Sequence, residues 1–368
     1  MNTLNTIRLV LLTSLSLILF SCGKSAPGPD LSDPRGQQLR SVYQNGVLPT
    51  HAAFVDASDD LYSSAEAFSL NPSEETLEAL RASWKAVTEH WKRCEVYDFG
   101  TVSNFFLHTR IHRWPVNIDG LEENIRTEET INEDFINSRG SSIVGLAALE
   151  YLLFKDDLAT TLQQLIADDA RTAYLLETAK YLNFVAGELR SRWTEEGPPF
   201  TQRTNLNIDG GQNQLVNGLI NYLEKTIRFR LRTPTGDQDG EGPDSDLVET
   251  PYAAFSISCL QAGFEEWKTA YRGGTAITPM AYGFDQYLEE LGNTTIAPNI
   301  SAAITAIDNR LVELQQQQNQ SSLRDLIEND VDEVRQLTDE FQALLVLIRV
   351  DLSSAISVVL TVTDADGD

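Results

Sequence analysis

Between Ser141 and Phe154 the chain reads Ser-Ser-Ile-Val-Gly-Leu-Ala-Ala-Leu-Glu-Tyr-Leu-Leu-Phe, and Glu150 is the single charge in the run. Wound as a helix, the rows 143, 147, 150, 154 and 142, 146, 149, 153 are both largely apolar, so no face is left for water and the helix must be buried. A helix enclosed on all sides needs other elements around it, which makes this stretch the centre of the fold. Glu150 then has to be accounted for. A buried carboxylate pairs with a cation, takes a proton, accepts hydrogen bonds or holds a metal, because an uncompensated one costs several kcal/mol. Two readings stay open for it: a structural group pinned by Arg or by helix-end amides, and a functional ligand or acid.

The surrounding chain has a helical period. Val47, Phe54, Leu61 and Phe68 predict one amphipathic helix over about 47 to 69, and Leu77, Leu80, Trp84, Val87, Trp91 and Cys94 a second, started by Asn71-Pro72-Ser73-Glu74 and ended near Phe99-Gly100. Leu158 to Trp193 continues in the same style until Gly197-Pro198-Pro199, which is expected to break it. From Asp209 a further helix points Leu215, Leu219, Tyr222 and Ile227 inward and ends near Arg232-Thr233-Pro234. Gly236 to Glu249 holds six acids and no base, which reads as a solvated loop and the best internal boundary. Beyond it Leu260, Phe264, Trp267 and Tyr271 mark a helix with Ser256 and Glu265 on its polar flank, and Asn299–Gln317 with Leu323–Val350 forms a hairpin. No strand-rich stretch appears. The expectation is an all-α protein of two packed helical-bundle domains, divided as 41–235 and 251–368 around an acidic linker loop at 236–250.

The first residues bear on location. Arg8, the apolar run Leu9–Phe20 and the sequence Leu19-Phe20-Ser21-Cys22 form a lipoprotein signal peptide over 1–22 with Cys22 as the lipidation site. The run is too short to span a bilayer. Residues 23–40, rich in Pro, Gly and Ser at their start, read as a flexible tether, so the protein is expected to be exported and lipid-anchored in the bacterial cell envelope. A net charge of −26, from 28 basic and 54 acidic residues, excludes nucleic acid as a partner and leaves the lipid on Cys22 as the contact with the membrane. Cys94 and Cys259 lie in apolar helical patterns and read as small buried hydrophobes.

All four histidines, His51, His90, His108 and His112, precede the central helix. His108 and His112 are four apart, a spacing that on a helix offers two imidazoles to one metal, although Pro115 argues against a regular helix there. Gly-rich phosphate loops, Gly-x-Ser-x-Gly elbows, His-Glu-x-x-His and paired Cys-x-x-Cys motifs do not occur. The tail, Val362 to Asp368, begins like a calcium loop but lacks the glutamate that completes one.

Gly145-Leu146-Ala147-Ala148-Leu149-Glu150-Tyr151-Leu152-Leu153 resembles the central helix of the imelysin family, whose motif is Gly-x-His-x-x-Glu followed by Tyr-Leu-Leu. Trp84, Trp91, Glu95, Phe99-Gly100, Trp114-Pro115, the stretch Gln214–Asn217 and the turn Thr233–Gly236 fall in with the family's pattern as well. The chain departs from it at Ala147, where the family has histidine, and at Thr88 and Lys92, where it commonly has Arg and Glu. The resemblance implies two helical bundles with a site in the cleft between them. It nominates Glu150, Glu95, Asn217 and Trp114 as cleft residues and Glu150 as a candidate ligand for a divalent metal such as iron or zinc, to which His108 and His112 are added by their own spacing. It further implies a binding or accessory component of iron or haem acquisition, with iron or haem uptake components as partners. The alternative it carries is a metallopeptidase using a metal near Glu150, from which Ala147 removes one ligand.

Overall fold

A computed structural model describes residues 33–128, 130–317 and 322–361. The signal peptide, Cys22, most of the tether and the tail from Val362 lie outside the described residues, as do residues 318–321 in the predicted hairpin turn. Every regular element among the described residues is helical.

Helix α1 (Pro34–Val42) starts inside the stretch assigned to the tether, because Asp33 caps it by accepting the Arg35 amide and Pro34 takes the first helical position. A π-turn, Tyr43–Val47, leads straight into α2 (Leu48–Leu70). Helix α3 (Glu74–Cys94) is capped by Ser73 and Thr76, which exchange hydrogen bonds with each other's backbone amides, and it ends in a 3-10 turn at Glu95–Tyr97. After several short helices the central helix α4 (Gly145–Phe154) follows, then α5 (Asp169–Gln202) and α6 (Gly211–Lys225). A second π-turn, Thr226–Arg232, extends α6. The remaining long helices are α7 (Ser256–Arg272), α8 (Ile296–Gln317) and α9 (Val331–Val346), and α9 also runs on through a π-turn, Leu347–Leu352.

Helix α2 packs on both α3 and α5, and these two pack on α4, to make the first bundle, while α8 packs on both α7 and α9 to make the second. Helix α7 lies along α3 and α6 packs on both α7 and α9, so among the described residues the bundles share a core within one compact unit. Trp84, Trp91, Trp193 and Trp267 are fully buried in it. Two of them fix neighbours by their indole N–H: Trp84 donates to the Leu146 carbonyl of α4 at 3.0 Å and Trp267 to the Leu219 carbonyl of α6 at 3.1 Å. Residues Gly145 to Leu153 of α4 are all buried, in keeping with the apolar rows of the sequence. Gly145 opens the helix at φ +76, where a Cβ would strike the carbonyls of Arg110 and Ile111, so no other residue fits there.

Two expectations are corrected. Helix α5 does not break at Gly197-Pro198-Pro199 but runs to Gln202. Both prolines sit on its exposed face, and the carbonyls they leave without an amide partner, those of Thr194 and Glu195, are on exposed residues that water can reach. Gly197 on the buried face admits the Tyr43 ring, whose hydroxyl donates to the Trp193 carbonyl at 3.3 Å. The acidic stretch 236–249 is also not wholly solvated, since Glu249 at its end is only 1% exposed. Cys94 and Cys259 are free, buried thiols.

Candidate functional site

Glu249 is the hub of a buried charge cluster where α3, the His112 segment, the π-turn of α6 and the loop before α7 meet. Lys92, near the end of α3, follows Trp84 and Thr88 at steps of four, so it lies on the face that packs inward, and it is 1% exposed. Its Nζ donates to Glu95 Oε1 at 3.0 Å and to Glu249 Oε1 at 2.5 Å, and lies 3.0 Å from His112 Nδ1. Arg230 occupies the opposite side and takes the other oxygens, with Nε 3.0 Å from Glu249 Oε2 and Nη2 2.6 Å from Glu95 Oε2. Two carboxylates therefore face two cations, each cation bridging one pair of oxygens. The Trp114 ring covers the cluster, 5.5 Å from Lys92 Nζ and 5.6 Å from the Arg230 guanidinium.

Electrostatics follow from that arrangement. Burial alone would raise the Glu249 acid, but Arg230 and Lys92 hold it down at about 2. Burial, reinforced by Lys92, pushes His112 well below its usual value, so its imidazole is neutral. Lys92 donates to Nδ1 in that state, which puts the imidazole proton on Nε2.

Glu150 is equally buried, 2% exposed, but its company is different. Its Oε1 accepts the backbone amides of Tyr252 and Ala253, both at 2.9 Å. Burial pushes its acid up to about 8; the two amides work against that shift and Glu249 adds to it. Ala147, one turn earlier and 3% exposed, offers no ligand atom. The motif positions on α4 thus do not fit a metal: one carries a methyl group, and the other is engaged by backbone. One crossing segment serves both sites, since Glu249 feeds the charge cluster and the amides three and four residues later bind Glu150. Thr250 and Ala254, at φ +56 and +50, bend that segment through the left-handed region, a conformation that costs a β-branched residue about 1–3 kcal/mol.

Of the residues singled out in the sequence, the structure brings Glu95, His112 and Trp114 together and sets Glu150 beside them. His108 and Asn217 lie elsewhere, on the wall of an open cavity of about 440 Å³ lined also by Asp98, Phe106, Gln214, Asn221 and Lys225. There His108 Nδ1 is 3.2 Å from Asp98 Oδ2, and Lys225 Nζ is 3.6 Å from the same oxygen. Burial opposes the Asp98 charge, yet His108 and Lys225 hold its carboxyl below the usual range. Asn217 is already employed: its amide donates to the Val359 carbonyl at 3.0 Å and its oxygen accepts the Thr361 amide at 2.9 Å, while Asn213 accepts the Val359 amide at 2.7 Å. These two asparagines, one turn apart, hold the C-terminal segment in the manner of a neighbouring strand.

Sequence reasoning missed Arg230 and Glu249 and saw in Lys92 only a departure from a pattern. The available signals were the placement of Lys92 on the Trp84-Thr88 row and of Glu249 directly after Leu247-Val248.

The imelysin (peptidase M75) family model matches residues 47–350. Iron-regulated protein A of Synechococcus elongatus is 20% identical over 265 residues, 69% of each chain. Two crystal structures share the fold. An imelysin-like protein from Psychrobacter arcticum is 19% identical with a TM-score of 0.74, over 91% of this chain and 99% of that one. A putative iron-regulated protein A precursor from Parabacteroides distasonis is 16% identical with a TM-score of 0.71, over 90% and 97%. The extent of the family match settles the assignment: the chain belongs to the imelysin family.

Proposed function

We propose that the protein is an exported, lipid-anchored binding component of iron acquisition and that it does not act as a peptidase. One observation carries the second half of this reading. Each carboxylate that could hold or work with a metal near the central helix is already compensated, Glu150 by two amides and Glu95 with Glu249 by Lys92 and Arg230. A hydrolytic zinc centre needs three protein ligands and an open position for water, and at the α4 motif positions neither is on offer. The names of the iron-regulated relatives support the first half.

The open cavity at Asp98, His108 and Lys225 is the place for a ligand in this reading, because it combines a water-accessible volume with paired charges and the exposed Phe106. The test is direct. The full mature chain, incubated with a casein-type substrate and divalent metals, should show no cleavage that a chelator abolishes. Titration with ferric chelates and with haem should reveal a ligand whose affinity falls on His108→Ala. Chelator-sensitive proteolysis lost in Glu150→Gln would instead establish the metallopeptidase alternative.

A further inference from the structure

Glu95, His112 and Glu249 each present one ligand atom, and those three atoms lie within 4.8 Å of one another. Something positive already stands among them. The Lys92 ammonium makes its three contacts to this same set, Glu95 Oε1, His112 Nδ1 and Glu249 Oε1, at 2.5 to 3.0 Å. We infer that Lys92 is an internal countercation holding the place of a divalent ion, so that the native chain is closed to metal at this point and removal of the Lys92 side chain opens a Glu95-His112-Glu249 metal site. This inference does not rest on the iron-related reading, which concerns a different cavity.

Three features support it. The donor set, one imidazole nitrogen and two carboxylate oxygens, suits zinc or a ferrous-type ion, whose ligands sit at about 2.0–2.2 Å, so each would move inward by roughly half to one ångström. Arg230 binds only the Oε2 atoms, which leaves both Oε1 atoms aimed at the position of Nζ once the lysine is gone. His112 turns Nδ1, a ligand atom, toward the same position, 3.0 Å from Nζ. The ammonium and a metal compete for one space, and the ammonium is attached to the chain.

The test titrates the full mature chain with Zn²⁺ by calorimetry and with Co²⁺ by absorption, comparing wild type, Lys92→Ala and Lys92→Ala/His112→Ala. Lys92→Ala should bind one equivalent, about 100-fold tighter than wild type, with visible cobalt bands that vanish in the double variant. Its melting temperature should rise with Zn²⁺ while that of the wild type stays put. Wild-type binding of one equivalent that is lost in His112→Ala would overturn the inference, as would a folded Lys92→Ala that binds no tighter than wild type. If Lys92→Ala is unfolded, Zn²⁺ should restore its helical circular dichroism; failure to do so, repeated with Lys92→Ser, overturns it equally, since the ion would then not stand in for the ammonium.

Discussion

Glu150 and Glu249 are two buried carboxylates, 2% and 1% exposed, addressed by the same crossing segment and solved in opposite ways. Glu150 is met by backbone dipoles alone, and its acid is pushed up to about 8. Glu249 is met by an ammonium and a guanidinium, and its acid is held at about 2. Burial is common to both and so cannot explain the difference. What decides the charge state is whether the chain brings full opposite charges or only partial ones to the oxygens. The lesson for this fold is that a lone acid on an apolar helix can be structural, whereas an acid in a loop can be the centre of a site.

The strongest way to break the comparison is to delete the cation-held member. Glu249→Ala leaves Lys92 and Arg230 in the core with Glu95 alone between them, an uncompensated positive charge that should cost about 3–5 kcal/mol in urea unfolding. A loss below about 1 kcal/mol would mean that the cluster hydrates freely and is not buried in the sense argued. Glu150→Ala should cost less, about 1–3 kcal/mol, because it leaves only two amides without an acceptor. Their protection from hydrogen exchange, at Tyr252 and Ala253, should fall with it.

Glu150→Gln, which keeps an acceptor for both amides, should change stability by no more than about 1 kcal/mol near pH 6. Its pH dependence sharpens the contrast. A carboxyl raised in the folded state contributes stability that is complete below the ordinary value of 4.5 and is lost as pH rises through about 8. The wild type should therefore weaken relative to Glu150→Gln between those limits, read as the difference in melting temperature across a pH series. A difference that stays flat would show Glu150 ionised by its amides. Glu249 carries the reverse sign, with stability present above 4.5 and lost as pH falls toward 2. The smallest effect is expected outside both sites. Arg335→Ala, which removes an exposed pairing with Asp237, should cost about 0–1 kcal/mol and shift neither pH profile.

Helical period made the all-α architecture legible, and the two apolar rows around Glu150 placed α4 at the centre. What periodicity could not carry was any contact distant in sequence. Lys92 and Glu249 are 157 residues apart, and the apolar pair Leu247-Val248 before Glu249 marks it off from the five acids before it without saying which residue it meets. His112 and His108 share a spacing but not a site, because the short helix ends at Ile111 and the chain leaves His112 in an extended conformation, turned into the core. Asn217 stands out in the sequence as a polar residue, yet its partners are Val359 and Thr361, which only the folded chain brings near. The prolines of α5 misled for a simpler reason: their rule assumes buried carbonyls, and these face water.

The π-turn that carries Arg230 has one further consequence. Each residue advances an α-helix by about 100°, so the wider turn acts as a phase shifter between α6 and whatever follows it. Arg230 meets Glu95 and Glu249 because the helical clock is delayed over Thr226–Arg232. Excising one residue there would restore the regular count and sweep the guanidinium out of the cluster without touching a charged side chain. In this protein, chain length through one turn is as much a determinant of the site as the identity of the residues that form it.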